Sequence, residues 1–175
     1  MSQFLGTHQN RLDAKGRVSV PAPFRAALKA GNETNGTHLV LRPSHQHPCI
    51  EAWPEPMFAA LAAPLDRLDL FSPEHEVMAT TLYADAFPVE ADKEGRIVLP
   101  DELVRHAGLT EAVVFMGLGR IFQIWEPAAA ERRRVAAREQ ARERAFTLSG
   151  VTAPAPAAAA APPPAAPAPP AAAAP

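Results

Sequence analysis

The chain has little with which to form disulfides, to cross a membrane or to attract polyanions over its whole surface. Its 175 residues include one cysteine, Cys49, so an internal disulfide is excluded and a reducing compartment is expected. No apolar run approaches the roughly 20 residues that span a bilayer, and no apolar segment follows a basic N-terminus. The formal net charge of -2 excludes a surface coated with positive charge. These absences predict a cytoplasmic protein without membrane contact.

Positive charge is instead concentrated in two segments. Residues 11–25 contain four basic residues and a single acid, namely Arg11, Lys15, Arg17, Arg25 and Asp13. Residues 131–144 contain six arginines and three glutamates. Contacts with nucleic acid must therefore come from local clusters. For the second segment, a solvated, salt-bridged helix face or a subunit contact competes with an added phosphate-binding surface.

A motif of nine residues occurs twice in the chain. The segment Asp13-Ala-Lys-Gly-Arg-Val-Ser-Val-Pro21 reappears as Asp92-Lys-Glu-Gly-Arg-Ile-Val-Leu-Pro100. Each proline precedes a short helical pattern that ends near a glycine, and each unit finishes on a strand that ends in tryptophan. The repetition indicates two copies of one structural unit.

Each unit is predicted to run strand, tight turn, strand, short helix, strand, turn, strand. The eight strands are expected near residues 4–11, 17–20, 38–42, 49–53, 86–91, 96–99, 112–116 and 121–125. Four short strands are barely stable alone, so the two units are expected to pair strands and close a small barrel. The predicted fold class is α+β.

The repeat divides the chain into five segments. These are a first repeat (7–54), a connecting helical hairpin (55–82), a second repeat (83–126), a C-terminal helix (127–148) and a tail (149–175). In the hairpin, Ser72 is the expected N-cap of the second helix, and Pro64 is expected to kink or break the first. The tail is almost entirely Ala and Pro, which predicts disorder because proline repeatedly removes helix hydrogen bonds.

The repeated Gly-Arg loop is the candidate functional site. Asp13 can close an Asx-type turn while Gly16 supplies a positive φ, so that Arg17 is held on a rigid turn. A planar guanidinium presented in this way suits bidentate bonding to guanine or phosphate, and Arg11 and Lys15 would add phosphate contacts. The alternative is a plain turn whose arginine bonds the aspartate or a carbonyl at a strand end. Against this alternative, a turn requires Asp and Gly but does not require Arg after Gly in both copies.

These residues resemble the MraZ family, the double-repeat members of the SpoVT/AbrB superfamily. Residues 4–21, followed by Phe24 and Arg25, are very similar to the start of such proteins, and residues 91–100 with 105–109 are similar to their second repeat. The resemblance extends in order from residue 4 to about 146 and leaves out the Ala/Pro tail.

The resemblance implies a swapped-hairpin β-barrel, assembly into a ring-shaped homo-oligomer and nucleoid association. It also implies autorepression through binding of double-stranded DNA at short G-rich direct repeats upstream of the division and cell-wall gene cluster. By position, the DNA-facing residues are Lys15, Gly16 and Arg17, then Lys93, Gly95 and Arg96, with Asp13 and Asp92 structuring the loops. Since Glu94 repels phosphate where the first loop has Lys15, the first loop is expected to be the main reader.

Other functions have weaker support. His45, His47 and Cys49 alternate as expected on an extended segment and, with His38, lack a second spaced ligand pair, so no metal is expected. The acids between residues 66 and 76 have no adjacent nucleophile or phosphate cradle, so neither catalysis nor a cofactor is expected. An antitoxin-like or protein-binding barrel that makes no use of the arginines is the alternative function.

Overall fold

The computed structural model describes residues 3–31 and 37–144. Eight strands are present in this part: β1 Thr7–Arg11, β2 Arg17–Ser19, β3 His38–Pro43, β4 Ile50–Pro54, β5 Phe87–Glu90, β6 Arg96–Val98, β7 Ala112–Gly117 and β8 Phe122–Trp125. The helices are α1 Ala22–Gly31, α2 Glu55–Ala59, α3 Ala62–Leu65, α4 Pro73–Ala79, a π-helical segment Thr80–Ala84, α5 Asp101–His106 and α6 Pro127–Arg144. The α+β class and all eight predicted strands are confirmed. The expected tail and the last residues of the expected C-terminal helix lie outside the described residues.

The two repeats exchange strands. Six strands form one antiparallel sheet in the order β1-β7-β8-β4-β3-β5, and β2 pairs with β6 in a separate two-stranded ribbon. The first strand of each repeat thus pairs with the third strand of the other, β1 with β7 and β5 with β3. The equivalent strands β4 and β8 pair at the centre of the sheet, so an approximate two-fold axis relates the repeats. Closure of these strands into a swapped-hairpin barrel stays a prediction.

The core lies on one side of the six-stranded sheet. Alternate strand residues face that side, where the ribbon, α1 and α5 cover them. Its buried members include Val18 and Ile97 from the ribbon, Phe24 from α1, Leu103 from α5, and Phe115 and Phe122 from the sheet. The opposite side, called here the outer side, is covered in part by α6, whose Ala130 packs with Val114, Met116 and Trp125. The ribbon and α6 therefore lie on opposite sides of the sheet.

The connection between the repeats is helical but is more interrupted than expected. Its first half is two short helices, α2 and α3, and the break precedes Ala62 rather than falling at Pro64. Pro64 is accommodated in the first turn of α3, where a missing N–H costs no helix hydrogen bond. Ser72 caps α4 as predicted, its Oγ accepting from His75 N at 3.1 Å. The helical connection continues to Ala84 through a π-helical segment that the sequence did not indicate.

A buried ion pair distinguishes the first repeat from the second on the outer side of the sheet. Arg42, 1% exposed, lies opposite Glu51 in the β3–β4 ladder. Arg42 Nε and Glu51 Oε2 are 3.2 Å apart but are not aligned for a hydrogen bond. In the second repeat the same cross-strand pair is Met116 and Gln123.

Candidate nucleic-acid interface

The two Gly-Arg loops have the same backbone geometry. In the first, Asp13 Oδ1 accepts from the backbone N of Lys15 and of Arg17, both at 2.9 Å. Gly16 has φ +72° and donates its N–H to Asp13 O at 3.0 Å. A left-handed φ of this kind favours glycine because it has no Cβ. The aspartate carboxylate and the glycine thus shape the turn by bonding the backbone of the loop.

The second loop repeats these contacts residue by residue. Asp92 Oδ1 accepts from the backbone N of Glu94 at 3.0 Å and of Arg96 at 2.8 Å. Gly95 has φ +78° and bonds Asp92 O at 2.9 Å. In both loops the N–H of the arginine, bonded to the carboxylate, is the main cause that lowers the aspartate pKa, so Asp13 and Asp92 are kept ionised.

Each aspartate also holds the arginine side chain of its own loop. Arg17 Nε lies 2.7 Å from Asp13 Oδ2, and Arg96 Nε lies 2.9 Å from Asp92 Oδ2. Both arginines therefore bond the aspartate of their own loop, as expected of a plain turn, and this same bond holds each guanidinium in a fixed position. Within the described residues the Nη atoms of Arg17 have no partner, whereas Arg96 Nη2 donates to Glu94 Oε2 at 3.2 Å. The Nη atoms of Arg17 are therefore more available to a ligand than those of Arg96.

The ribbon brings the two loops together on one surface. Arg17 lies opposite Val98, and Ser19 lies opposite Arg96, while Val18 and Ile97 between them point into the core. Alternation along the strands places both arginines on the same outward face as diagonal neighbours, about 7–8 Å apart at Cα. Backbone bonds from Val20 N to Gly95 O and from Leu99 N to Gly16 O join each loop to the end of the other strand.

Electrostatics show the same proximity of the two loops. The pKa of Arg96 is raised, first by its hydrogen bond to Asp92 and, more weakly, by the charge of Asp13 on the first loop. Lys15 and Arg17 outnumber the one acid of their loop, whereas Lys93 and Arg96 are balanced by Asp92 and Glu94. Counted over the residues of each loop alone, the first loop is the more positive of the two.

Arg25 contributes a third guanidinium that was not among the predicted site residues. Its side chain, which starts from α1, lies over Gly95 so closely that a Cβ there would overlap Arg25 Cδ. Arg25 Nη1 donates to Val20 O at 2.8 Å, which fixes the side chain across the end of the ribbon. In the sequence, Arg25 stood out as a member of the basic segment 11–25 and in the family resemblance. Neither signal indicates its contact with the second loop, because that contact depends on the exchange of strands.

The other predicted site residues divide into two groups. Lys15 and Lys93 lie exposed at the tips of their loops. Arg11 lies on the opposite face of β1 from Asn10, whose Nδ2 reaches Ser19 O of the ribbon. The structure therefore places both lysines with the ribbon and leaves Arg11 apart from its arginine face.

The histidines and the cysteine considered as metal ligands are not brought together as a metal site in the described part of the chain. Among residues 3–31 and 37–144, no group of three or more His, Cys, Asp or Glu side chains is placed to hold a metal ion. Cys49 is buried, and burial raises its pKa to about 12, so its thiol stays protonated. In the same part of the chain, no helix combines the length and the apolar character that a membrane span requires.

Comparison with known proteins gives a match across both repeats. A family model described as "MraZ protein, putative antitoxin-like" matches residues 3–80 and 82–147. A protein of Gluconacetobacter diazotrophicus named "Transcriptional regulator MraZ" is 67% identical over 150 residues, which cover 86% of this chain and 95% of that protein. Proteins of the same name from Gluconobacter oxydans and Rhodospirillum rubrum are 60% and 42% identical, covering 89% and 75% of this chain and 94% and 84% of their own lengths.

Proposed function

Because this chain belongs to the MraZ family, we propose that it is a transcriptional regulator that binds double-stranded DNA through its two-stranded ribbon. The relatives from Gluconacetobacter diazotrophicus and Gluconobacter oxydans are named transcriptional regulators. The observation that supports DNA binding is the display of Arg17 and Arg96 on one outward ribbon face, each fixed through Nε by its own aspartate. We place the protein in the cytoplasm, on the nucleoid.

A two-stranded ribbon has the right dimensions for this role. The major groove of B-DNA, about 12 Å wide, admits such a ribbon and displays a distinct pattern of donors and acceptors for each base pair. A guanidinium that is anchored through Nε keeps its Nη groups for the acceptor pair O6 and N7 of guanine. The anchoring restricts the side chain before binding, so less conformational freedom is lost on contact.

The residues around the arginines would position the ribbon on the duplex. Lys15 and Lys93 at the loop tips suit phosphate contacts, which orient a protein without reading sequence. Arg25 adds a cation beside the second loop and offsets Glu94. Arg17, whose Nη atoms have no partner among the described residues, is the main base reader in this proposal, and Arg96 is the secondary one.

Useful specificity requires several such ribbons. One bidentate contact discriminates by about 1–3 kcal/mol, which is too little for a genomic site. We therefore propose that the repeats close a swapped-hairpin barrel, that copies of the chain assemble into a ring, and that neighbouring ribbons bind G-rich direct repeats. The proposed targets lie upstream of the division and cell-wall gene cluster, including the protein's own promoter.

A protein-binding role is the second candidate. It is favoured by the antitoxin-like description of the matching family model and by the carboxylate that already engages each arginine. In that role the Asp-Arg pairs would be turn structure only. The two functions differ in whether the arginines are needed for binding to DNA.

Substitution of the arginines separates these functions. In gel-shift titrations with G-rich direct-repeat DNA, Arg17→Ala should abolish sequence-specific binding, and Arg96→Ala should weaken it less. Arg142→Ala removes an exposed arginine from α6, on the other side of the sheet, and should leave binding unchanged. All variants are first compared by circular dichroism and size-exclusion chromatography. If folded Arg17→Ala binds direct repeats like the unaltered protein, the ribbon does not read DNA and the protein-binding role is favoured.

A further inference from the structure

The connecting segment exposes a large apolar surface. Phe71 is 91% exposed, Leu70 66% and Val77 62%. Leu70 and Phe71 border a groove of about 390 Å³, whose other lining residues include His75, Glu76 and Ala79. Single exposed apolar side chains are common on protein surfaces, but a group of large ones exposed together marks an interaction site. This groove and its rim are called the hairpin surface.

One acid, Glu76, lines the groove of the hairpin surface, and other acids are exposed in the same segment of the chain. Segment 66–76 has a single arginine, Arg67, and four exposed acids, Asp66, Asp69, Glu74 and Glu76. None of these acids forms an ion pair within the part of the chain that the structure describes. A partner for this surface therefore needs apolar groups together with positive charge.

A surface of complementary character lies on α6. A cleft of about 370 Å³ separates α6 from the outer side of the sheet, and Arg133, Arg134 and Arg138 line it together with Met116 and Leu118. Arg134 is occupied by Glu131 at 2.9 Å. Arg133 and Arg138 have no acidic partner among the described residues, and Leu118 is half exposed. This cleft and its rim are called the α6 cleft.

We propose that the hairpin surface of one copy binds the α6 cleft of the next. This inference rests on the proposed homo-oligomer and names its interface. Leu70 and Phe71 would pack against Leu118 and Met116, while Glu76 would face Arg133 and Arg138. Since the two surfaces are different, the contact is head-to-tail, the type that generates a closed ring when the rotation per copy closes.

The positions of the two surfaces in the fold support this contact. Both follow the tryptophan-ending strand of their repeat, the connecting segment after β4 and α6 after β8, so the approximate two-fold axis relates them. Arg42 Nη1 reaches Thr81 O, which places the end of the connecting segment on the outer side of β3, while α6 covers β7 and β8 on the same side. The ribbon lies on the other side of the sheet and stays free for DNA.

A second copy fits these surfaces better than a nucleic acid does. Phosphates would satisfy Arg133 and Arg138 but would leave Phe71 and Leu70 in water and would be repelled by the four acids. Another copy of the chain brings both halves of the complementary pair, so each molecule can satisfy the next. Opposed charges also select this arrangement over like-with-like contacts.

Charge reversal and its rescue test the contact in the full chain. Sedimentation velocity at micromolar concentration should show that Glu74→Lys with Glu76→Lys weakens association at least about tenfold, as should Arg133→Glu with Arg138→Glu. The protein that carries all four substitutions should recover association to within about threefold of the unaltered protein. Phe71→Ser should weaken it as well, with an unchanged circular dichroism spectrum. Two control variants outside the surfaces, Arg132→Glu and Glu111→Lys, should leave it unchanged.

Each other outcome overturns the inference. If the unaltered protein is monomeric, the proposed oligomer and this interface both fail. If the reversed variants assemble normally, the oligomer stands and the interface lies elsewhere. If both reversals disrupt assembly but the combined variant does not recover, the two surfaces do not bind each other. Gel shifts on the same samples should weaken and recover together with association, because the proposed DNA binding needs several ribbons at once while none of the substituted residues belongs to the ribbon.

Discussion

At the scale of single residues, each ribbon arginine is part of an Asp-Arg unit. The carboxylate bonds the backbone of its loop through Oδ1 and the guanidinium through Oδ2, so one side chain fixes both the turn and the arginine. The lowered aspartate pKa keeps this unit ionised at neutral pH. In the first loop the Nη edge remains open, which is why Arg17 and Arg96 are expected to differ in function although their turns are the same.

The glycines of the two loops are expected to differ in their sensitivity to substitution. Alanine at a left-handed φ costs about 1–2 kcal/mol, and this applies to Gly16→Ala and to Gly95→Ala. At Gly95 the new Cβ would also displace Arg25 from its place over the loop. At Gly16 the new Cβ would stand 3.1 Å from the backbone O of Leu99, a tight contact without such an overlap. Gly95→Ala should therefore lower the free energy of unfolding by more than Gly16→Ala does.

Gly119→Ala is the matched control in urea denaturation, because Gly119 has φ +79° and open space where a Cβ would stand. Its cost should reflect the backbone conformation alone. Equal losses at Gly95 and Gly119 would show that the Arg25 contact adds nothing to stability.

At the scale of elements, equivalent strand pairs of the two repeats carry different side chains at the same cross-strand position. Arg42 and Glu51 form a buried ionic contact in β3–β4, and Met116 and Gln123 occupy those positions in β7–β8. In both repeats the tryptophan two residues later donates to the acidic or amide side chain, at 3.2 Å to Glu51 and at 3.0 Å to Gln123. The second repeat thus shows that an uncharged pair, Met and Gln, fits at this cross-strand position.

Breaking the ion pair should cost far more than removing it. Glu51→Gln leaves the Arg42 charge buried without an opposite charge and should reduce the free energy of unfolding by about 3 kcal/mol. Arg42→Met combined with Glu51→Gln copies the second repeat and should return stability to within about 1 kcal/mol of the unaltered protein. Chemical denaturation of the single and double variants measures the difference. A double variant as unstable as the single one would mean that the ion pair itself contributes net stability.

At the scale of the whole molecule, the sheet separates two surfaces with different roles. The ribbon, with Arg17 and Arg96, lies on the core side, and α6 and the connecting segment lie on the outer side. Because the net charge of -2 gives no overall attraction to DNA, affinity in the proposed function has to come from the local positive charge of several ribbons at once. In the proposed function, the spatial separation would let copies associate through one side while they bind DNA through the other.

Binding by several ribbons should depend on the helical phase of the DNA sites. Direct repeats about one turn apart, near 10 bp, present their guanines to neighbouring ribbons on one face of the duplex. Insertion of about 5 bp between two repeats moves one of them to the far face and should lower affinity at least about tenfold. Insertion of a full turn, about 10 bp, is the control and should restore much of the binding. Equal affinity for all three spacings in gel-shift titrations would contradict simultaneous binding.

Much of the local structure could be predicted from the sequence. The repeated Asp-x-x-Gly-Arg motif, the alternation of apolar residues and the two terminal tryptophans were enough to locate eight strands and to assign the α+β class. Ser72 before a proline was enough to locate the start of α4. These features depend on neighbours within a few residues, so periodicity and turn chemistry reveal them.

The partners of these elements were decided only by the tertiary structure. Pairing of β2 with β6 places Arg17 beside Arg96, and it also brings Arg25 of the first repeat over Gly95 of the second. Arg11 is only six residues from Arg17 in sequence, but it lies on the face of β1 opposite Asn10 and so apart from the ribbon's arginine face. Side chains alternate between the two sides of a strand, and the choice of partner strand depends on burial across the whole core. Neither the partner strand nor its consequences can be read from a local pattern.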